Sequence, residues 1–267
     1  MYQAHFGLDR APFGETVHPS AYVPLPSRDA AMRRLRYALD GDQGAAVLFG
    51  PPGSGKTLLA RRLASGRAAP TVHITYPIVS APELIGQLAE ELGVPPAARL
   101  TLTDALRALR THLAALVARG DRPLVIVDEA HVIDDRTALE ALRLLLNFAT
   151  DGPPDVFLLL VGGAELLLDL PRGLADRLAA RCLIAPFTQS ESTSYILGRL
   201  AAAGARSHLF TPDALANLHR HGDGLARRIN RLADMTLLIA YAKDLPIADE
   251  ETVSLAAREC NPDVLAA

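Results

Sequence analysis

Ala45-Ala46-Val47-Leu48-Phe49-Gly50-Pro51-Pro52-Gly53-Ser54-Gly55-Lys56-Thr57 is the stretch that decides the fold. Five apolar residues run unbroken into a loop of glycine and proline, the pattern of a buried strand that stops abruptly. From Thr57 to Ala64 the pattern is helical. Gly50, Gly53 and Gly55 let the backbone turn tightly and come close to an anion. The helix that follows presents its positive end over residues 57–59. Gly50 to Thr57 therefore reads as a loop built to hold a triphosphate. Lys56 can reach the β- and γ-phosphates, and the Thr57 hydroxyl can ligate Mg²⁺. The expected cofactors are ATP and Mg²⁺. The expected binding residues are Gly50, Pro51, Pro52, Gly53, Ser54, Gly55, Lys56, Thr57 and Leu58.

The flanking chain supplies the context such a loop needs. Upstream, about 28–39 reads as a helix. Downstream, strands are expected at 71–75, 123–127 and 156–161, with a short fifth near 182–185. Helices are expected at 81–92, at 103–119 with Thr103 as N-cap, and at 136–148. Continuous apolar strands alternating with helices imply a parallel sheet covered on both faces. After Pro186 only helical patterns appear, at about 189–203, 211–220, 224–242 and 249–259. Thr211-Pro212 is a cap followed by proline at the first helical position. The reading is an α/β nucleotide-binding domain over 1–187, including a Pro-, Gly- and aromatic-rich lead-in at 6–26. An all-helical lid domain follows over 188–267.

A second constellation is Leu124-Val125-Ile126-Val127-Asp128-Glu129-Ala130-His131. A buried strand ending in two acids suits Mg²⁺ on Asp128. It equally suits an attacking water oriented and deprotonated by Glu129. The string Asp-Glu-Ala-His coincides with a helicase motif, but the chain is too short for two helicase domains, so His131 receives no role. A third constellation is arginine placement. Arg177 and Arg181, just before the expected fifth strand, could complete a neighbouring subunit's site. Arg227, opening a lid helix, could reach the γ-phosphate within its own chain.

Composition narrows the partners. Among 267 residues the net charge is −3, so no whole-chain field points to nucleic acid or acidic lipid. Lys56 and Lys243 are the only lysines, and one of them sits where the loop requires it. Cys182 and Cys260 lie far apart without metal-ligand spacing, which fits a reducing compartment. His219 and His221 have no cysteine or acid cluster beside them, so metal ligation there is not expected. Arg33, Arg34 and Arg36 read as a solvated helix face, and the leucines from Leu142 to Leu146 as core. No signal peptide is read at the start, and no apolar run nears the roughly 20 residues of a membrane span. A soluble, cytoplasmic protein is expected.

These motifs have a family likeness. His5-Phe6-Gly7-Leu8…Pro12-Phe13, the phosphate loop, Asp128-Glu129-Ala130, Leu142-Arg143-Leu144-Leu145-Leu146-Asn147-Phe148 and Gly224…Arg227…Ile229-Asn230-Arg231-Leu232 together resemble the ExeA/GspA-type AAA+ ATPases over about residues 1–245. The resemblance implies a five-stranded core in the order 5-1-4-3-2, a helical lid and nucleotide-dependent oligomers. These would be rings or filaments with a hexameric repeat. It implies that Arg227 is the sensor-2 arginine, that Arg177 or Arg181 is the finger, and that Asn147 is a polar residue near the γ-phosphate. Two departures stand out. The family's Gly-Gln-Pro-Glu-Leu string is Gly162-Gly163-Ala164-Glu165-Leu166 here, so Gly163 has no side chain for a sensor-1 role. Secretion-type relatives also continue into a membrane span and a peptidoglycan-binding domain, which residues 1–267 do not contain.

The expected function is an ATPase that hydrolyses ATP with Mg²⁺ to assemble or remodel a protein complex of the secretion type. The alternative is a regulator related to the TnsC, TniB and MuB kind, coating duplex DNA and recruiting a transposase. A nucleotide switch that does not hydrolyse is the third reading, motivated by Gly163.

Overall fold

The computed structural model describes residues 2–14, 17–41, 43–77, 80–95, 101–149 and 152–260. In chain order its elements are α1 (Tyr2–His5), α2 (Pro26–Asp40), β1 (Ala45–Phe49), α3 (Lys56–Ala64), β2 (Thr71–Ile74), α4 (Ala81–Glu91), α5 (Leu102–Val117), β3 (Leu124–Val127), α6 (Arg136–Leu145), β4 (Phe157–Gly162), α7 (Leu166–Asp169), α8 (Arg172–Ala175), β5 (Leu178–Leu183), α9 (Gln189–Ala202), α10 (Pro212–Gly222), α11 (Ala226–Ala242) and α12 (Glu250–Cys260). The chain divides into two compact units. One is Ala30–Pro51 with Lys56–Ile184; the other is Met1–Asp29, Pro52–Gly55 and Ala185–Ala267.

The first unit is built on a five-stranded parallel sheet in the order β5-β1-β4-β3-β2, as the family likeness implied. Inner strands β1, β3 and β4 are buried almost throughout, because helices cover both faces. Edge strands β2 and β5 are partly exposed. The core beneath one face gathers Val47, Val125 and Leu158 from the sheet with Leu84, Leu109 and Leu142 from α4, α5 and α6. Because all strands run the same way, Phe49, Ile74, Val127 and Gly162 bring the residues that follow them to one edge. β1 lies between β4 and β5, so its C-terminal loop emerges where the strand order reverses.

The second unit packs α9 to α12 around Ile196, Leu218, Ile229, Leu237 and Val253. The lead-in, grouped with residues 1–187 on sequence grounds, buries Phe6, Leu8 and Phe13 in this cluster. A buried polar chain crosses the same unit. Arg199 donates to the Tyr195 hydroxyl at 2.9 Å and to Gly14 O at 3.1 Å, and Tyr195 donates to Asn230 Oδ1 at 2.9 Å. α9 opens with a capping box. Thr188 Oγ1 accepts from Glu191 N–H at 3.2 Å while the Glu191 carboxylate accepts from Thr188 N–H at 3.3 Å. Thr211 caps α10, with Pro212 at its first position.

Four details differ from the sequence expectations. α5 is capped by Thr101, whose hydroxyl accepts from Asp104 N–H at 3.1 Å; Thr103 lies inside the helix. β5 begins at Leu178, earlier than expected, because an edge strand of alanine and arginine shows no continuous apolar run. Arg181 is therefore within the strand rather than before it. Leu144, read as core, is 38% exposed on the outer face of α6.

Candidate functional site

The phosphate loop takes its shape from its glycines. Gly53 and Gly55 have φ of +77° and +93°, which side chains disfavour. A Cβ on Gly50 would come within 2.4 Å of Ile184 O, and one on Gly53 within 2.9 Å of Arg227 Cβ. A Cβ on Gly55 would meet nothing within 4 Å, so that residue borders open space. Lys56 is nearly buried at the start of α3, and its ammonium donates to Gly50 O at 2.9 Å and Pro51 O at 3.1 Å. Thr57 and Leu58 complete the first turn of α3, whose N–H groups have no helical acceptors.

The end of β3 holds the two acids differently. Asp128 is buried, and its N–H donates to Ile74 O at 2.8 Å. Burial pushes the Asp128 pKa up. Hydrogen bonds from the His73 and Thr57 side chains and the Glu129 N–H outweigh that cost and leave it below the ordinary carboxylate range. His73 Nε2 lies 3.3 Å from Asp128 Oδ2. Glu129 instead adopts the left-handed region, φ 51° and ψ 34°, and its side chain is half exposed. A non-glycine residue held there costs on the order of 1–2 kcal/mol, a strain characteristic of functional positions.

Among the described residues the site elements fit a polyphosphate and a hard cation. The Ser54 hydroxyl is buried without a hydrogen-bond partner. The Thr57 hydroxyl and the ionised Asp128 carboxylate supply two oxygen donors of the kind suited to Mg²⁺. Lys56 rests on carbonyl oxygens, which take the place of anionic oxygens in satisfying its charge.

The other expected residues separate. Arg227, second residue of α11, approaches the loop: its N–H donates to Gly53 O at 3.1 Å. Arg181, exposed on edge strand β5, pairs in register with Val47 and donates to Ala175 O at 3.3 Å. Arg177 and Asn147 line a cavity of about 460 Å³ with Gly44 and Pro154. Gly44 precedes β1, so this cavity lies at the N-terminal edge of the sheet, and the phosphate loop leaves from the C-terminal edge. The γ-phosphate role expected of Asn147 is not supported by this placement: β1 alone separates the two edges by about 16 Å. Arg177 lies at the same N-terminal edge, away from the phosphate loop of its own chain.

Residues without a role on sequence grounds do gather at the acidic strand end. His131 Nδ1 lies 3.4 Å from Glu129 Oε2, and its Nε2 lies 3.5 Å from Glu165 Oε1. Gly163 N–H donates to His131 Nδ1 at 3.3 Å. A Cβ on Gly163 would fall 2.0 Å from Glu165 Oε1, so the missing side chain makes room for Glu165. The departure at Gly163 was visible in the sequence; the room it makes for Glu165 beside His131 was not.

A sheet in this order, with this loop after β1 and paired acids after β3, defines an AAA+ P-loop protein. Residues 39–168 match the model of the AAA domain. The chain is 34% identical over 97% of its length to General secretion pathway protein A of Aeromonas hydrophila, and it spans about half, 48%, of that relative. The solved Cdc6 protein of Pyrobaculum aerophilum superposes with a TM-score of 0.76 at 22% identity, covering 97% of this chain and 74% of that one. The ORC2 protein of Aeropyrum pernix, in its ADP form, gives 0.69 at 21%, covering 94% and 72%. These structures share the fold. The chain is thus similar to AAA+ ATPases of the ExeA/GspA type. Among the described residues no helix is long and apolar enough to cross a membrane.

Proposed function

We propose that the chain binds ATP with Mg²⁺ and hydrolyses it, and that turnover drives assembly or remodelling of a protein complex of the secretion type. The observation that carries the chemistry is the end of β3, where Asp128 is buried and held by His73 and the Glu129 N–H while Glu129 stands half exposed in the left-handed region. The Gly53–Leu58 backbone and Lys56 hold the polyphosphate. Bound Mg²⁺, on Thr57 and Asp128, would neutralise phosphate charge. Glu129, adjacent in sequence yet held apart from Asp128 by its left-handed backbone, orients a water and takes its proton. His131 limits where that carboxylate can point.

Arg227 acts from the helical lid, residues 188–267, as a sensor of the γ-phosphate. Arg177 or Arg181 acts on a neighbouring copy in a ring or filament. The name of the relative, General secretion pathway protein A, supports the secretion-type client. A cytoplasmic location belongs to the same proposal. The test is phosphate release by purified protein with and without Mg²⁺. Release that requires the cation and disappears with Lys56→Ala supports the reading. Release equal in both proteins, or none from the wild type, contradicts it.

A further inference from the structure

Two successive carbonyls of the phosphate loop are tied within the unit that contains Pro52–Gly55 and the C-terminal helices. Gly53 O accepts from Arg227 N–H at 3.1 Å, and Ser54 O accepts from Arg28 Nη2 at 3.3 Å. Every described peptide bond is trans. In a planar trans peptide the C=O and the following N–H point in opposite directions. Tying the Gly53 carbonyl therefore turns Ser54 N–H away from the tie, and tying the Ser54 carbonyl does the same to Gly55 N–H. A loop that binds phosphate through its backbone needs this orientation, and Gly55 borders open space.

Arg28 is itself fixed from several sides. It is 5% exposed on the first turn of α2. The same Nη2 donates to Ala185 O at 3.0 Å, and Nη1 donates to Ser27 Oγ at 3.2 Å. Its guanidinium carbon stands 4.4 Å from the centre of the Phe187 ring. Glu191, which accepts from Ser27 N–H at 3.0 Å, supplies the compensating charge. A planar fork with several donors can serve two carbonyls while stacked on a ring; an ammonium cannot.

We propose that Arg28 is a positioning residue for the phosphate cradle: stacked on Phe187 and tied to Ser54 O, it holds the Ser54–Gly55 peptide so that Gly55 N–H is presented to the polyphosphate. This rests on the ATP-binding reading above. It adds a residue from α2, 22 positions before the loop begins, to the machinery of that loop.

The test is steady-state Mg-ATP turnover by the full chain, with a fluorescent ATP analogue for direct affinity. Arg28→Lys should raise both KM and the analogue's Kd about tenfold, with kcat at saturation within about twofold, the loss of one hydrogen bond to a charged group. Phe187→Leu, which leaves the guanidinium but removes its ring, should raise KM about threefold. Arg199→Lys is the control. That arginine is buried in the same unit but bonds Gly14 and Tyr195, so it should lower Tm with KM unmoved. A purely structural role would lower Tm or the active fraction, read as kcat, without moving KM. KM at the wild-type value in Arg28→Lys and Phe187→Leu overturns the proposal. Should Arg28→Lys not fold, Phe187→Leu decides by the same criterion. A wild type that binds no analogue overturns instead the nucleotide-binding reading, which separates the two failures.

Discussion

The phosphate loop and the end of β3 leave the sheet at the same edge, yet they are built on opposite plans. The loop gets its conformation from residue type: glycines at φ +77° and +93°, and a lysine satisfied by backbone carbonyls. The strand end puts an ordinary residue, Glu129, where glycine would be at ease, with His131 beside it and Glu165 on the other side of that imidazole. A loop shaped by its backbone is suited to binding. A strained carboxylate, half exposed beside His131, is suited to acting on something that comes and goes. Binding and cleavage should therefore be separable by mutation.

The largest effect is expected at the strand end. Glu129→Gln should slow phosphate release by about 10²- to 10⁴-fold, the usual contribution of a general base. In the loop, Lys56→Ala should weaken ATP binding by about 100-fold, measured by titration calorimetry, because it removes a charged donor. His131→Ala should lower kcat by about tenfold with KM unchanged, since a misplaced base costs rate rather than affinity. An unchanged kcat would mean that the Glu129 backbone alone sets its aim. Glu129→Gly should abolish turnover and yet raise stability. It relieves on the order of 1–2 kcal/mol of left-handed strain against about 0.5–1 kcal/mol of glycine entropy. Tm should rise by about 2 °C in a thermal scan.

The smallest effect concerns the anchoring of Arg28. Burial raises the Glu191 pKa, but hydrogen bonds from Ser27 and Thr188 and the Arg28 charge bring it below its ordinary value. A depressed carboxylate contributes stability above its unfolded pKa of about 4.3, and that contribution is lost as pH falls through the lower folded value. Glu191→Gln should flatten the loss of stability between about pH 5 and pH 3.

What was legible in the sequence follows from these same plans. Strands β1, β3 and β4 are buried on both faces, so their apolar runs marked them almost to the residue. β5 is a half-exposed edge, and its Leu178-Ala179-Ala180-Arg181 start carries no such mark. Thr101 and Thr103 are both competent caps two residues apart, and only the backbone that follows chooses between them. The loop residues and the acids at 128–129 declared themselves because their chemistry is local. His73, Glu165 and Arg28 come from other segments, and no spacing in the chain encodes that meeting; His131 stands two residues after Glu129, and only the fold brings Glu165 to it. Asn147 shows the converse: a plausible residue type in a recognisable motif, placed by the sheet at the opposite edge.

The most direct test of separable binding and cleavage is a paired measurement on Glu129→Gln: ATP affinity by calorimetry, and single-turnover hydrolysis of the bound nucleotide with Mg²⁺. The account predicts wild-type affinity within about threefold, with bound ATP surviving at least about 100-fold longer than in the wild type. Hydrolysis at the wild-type rate, or an affinity that collapses together with the rate, would contradict it.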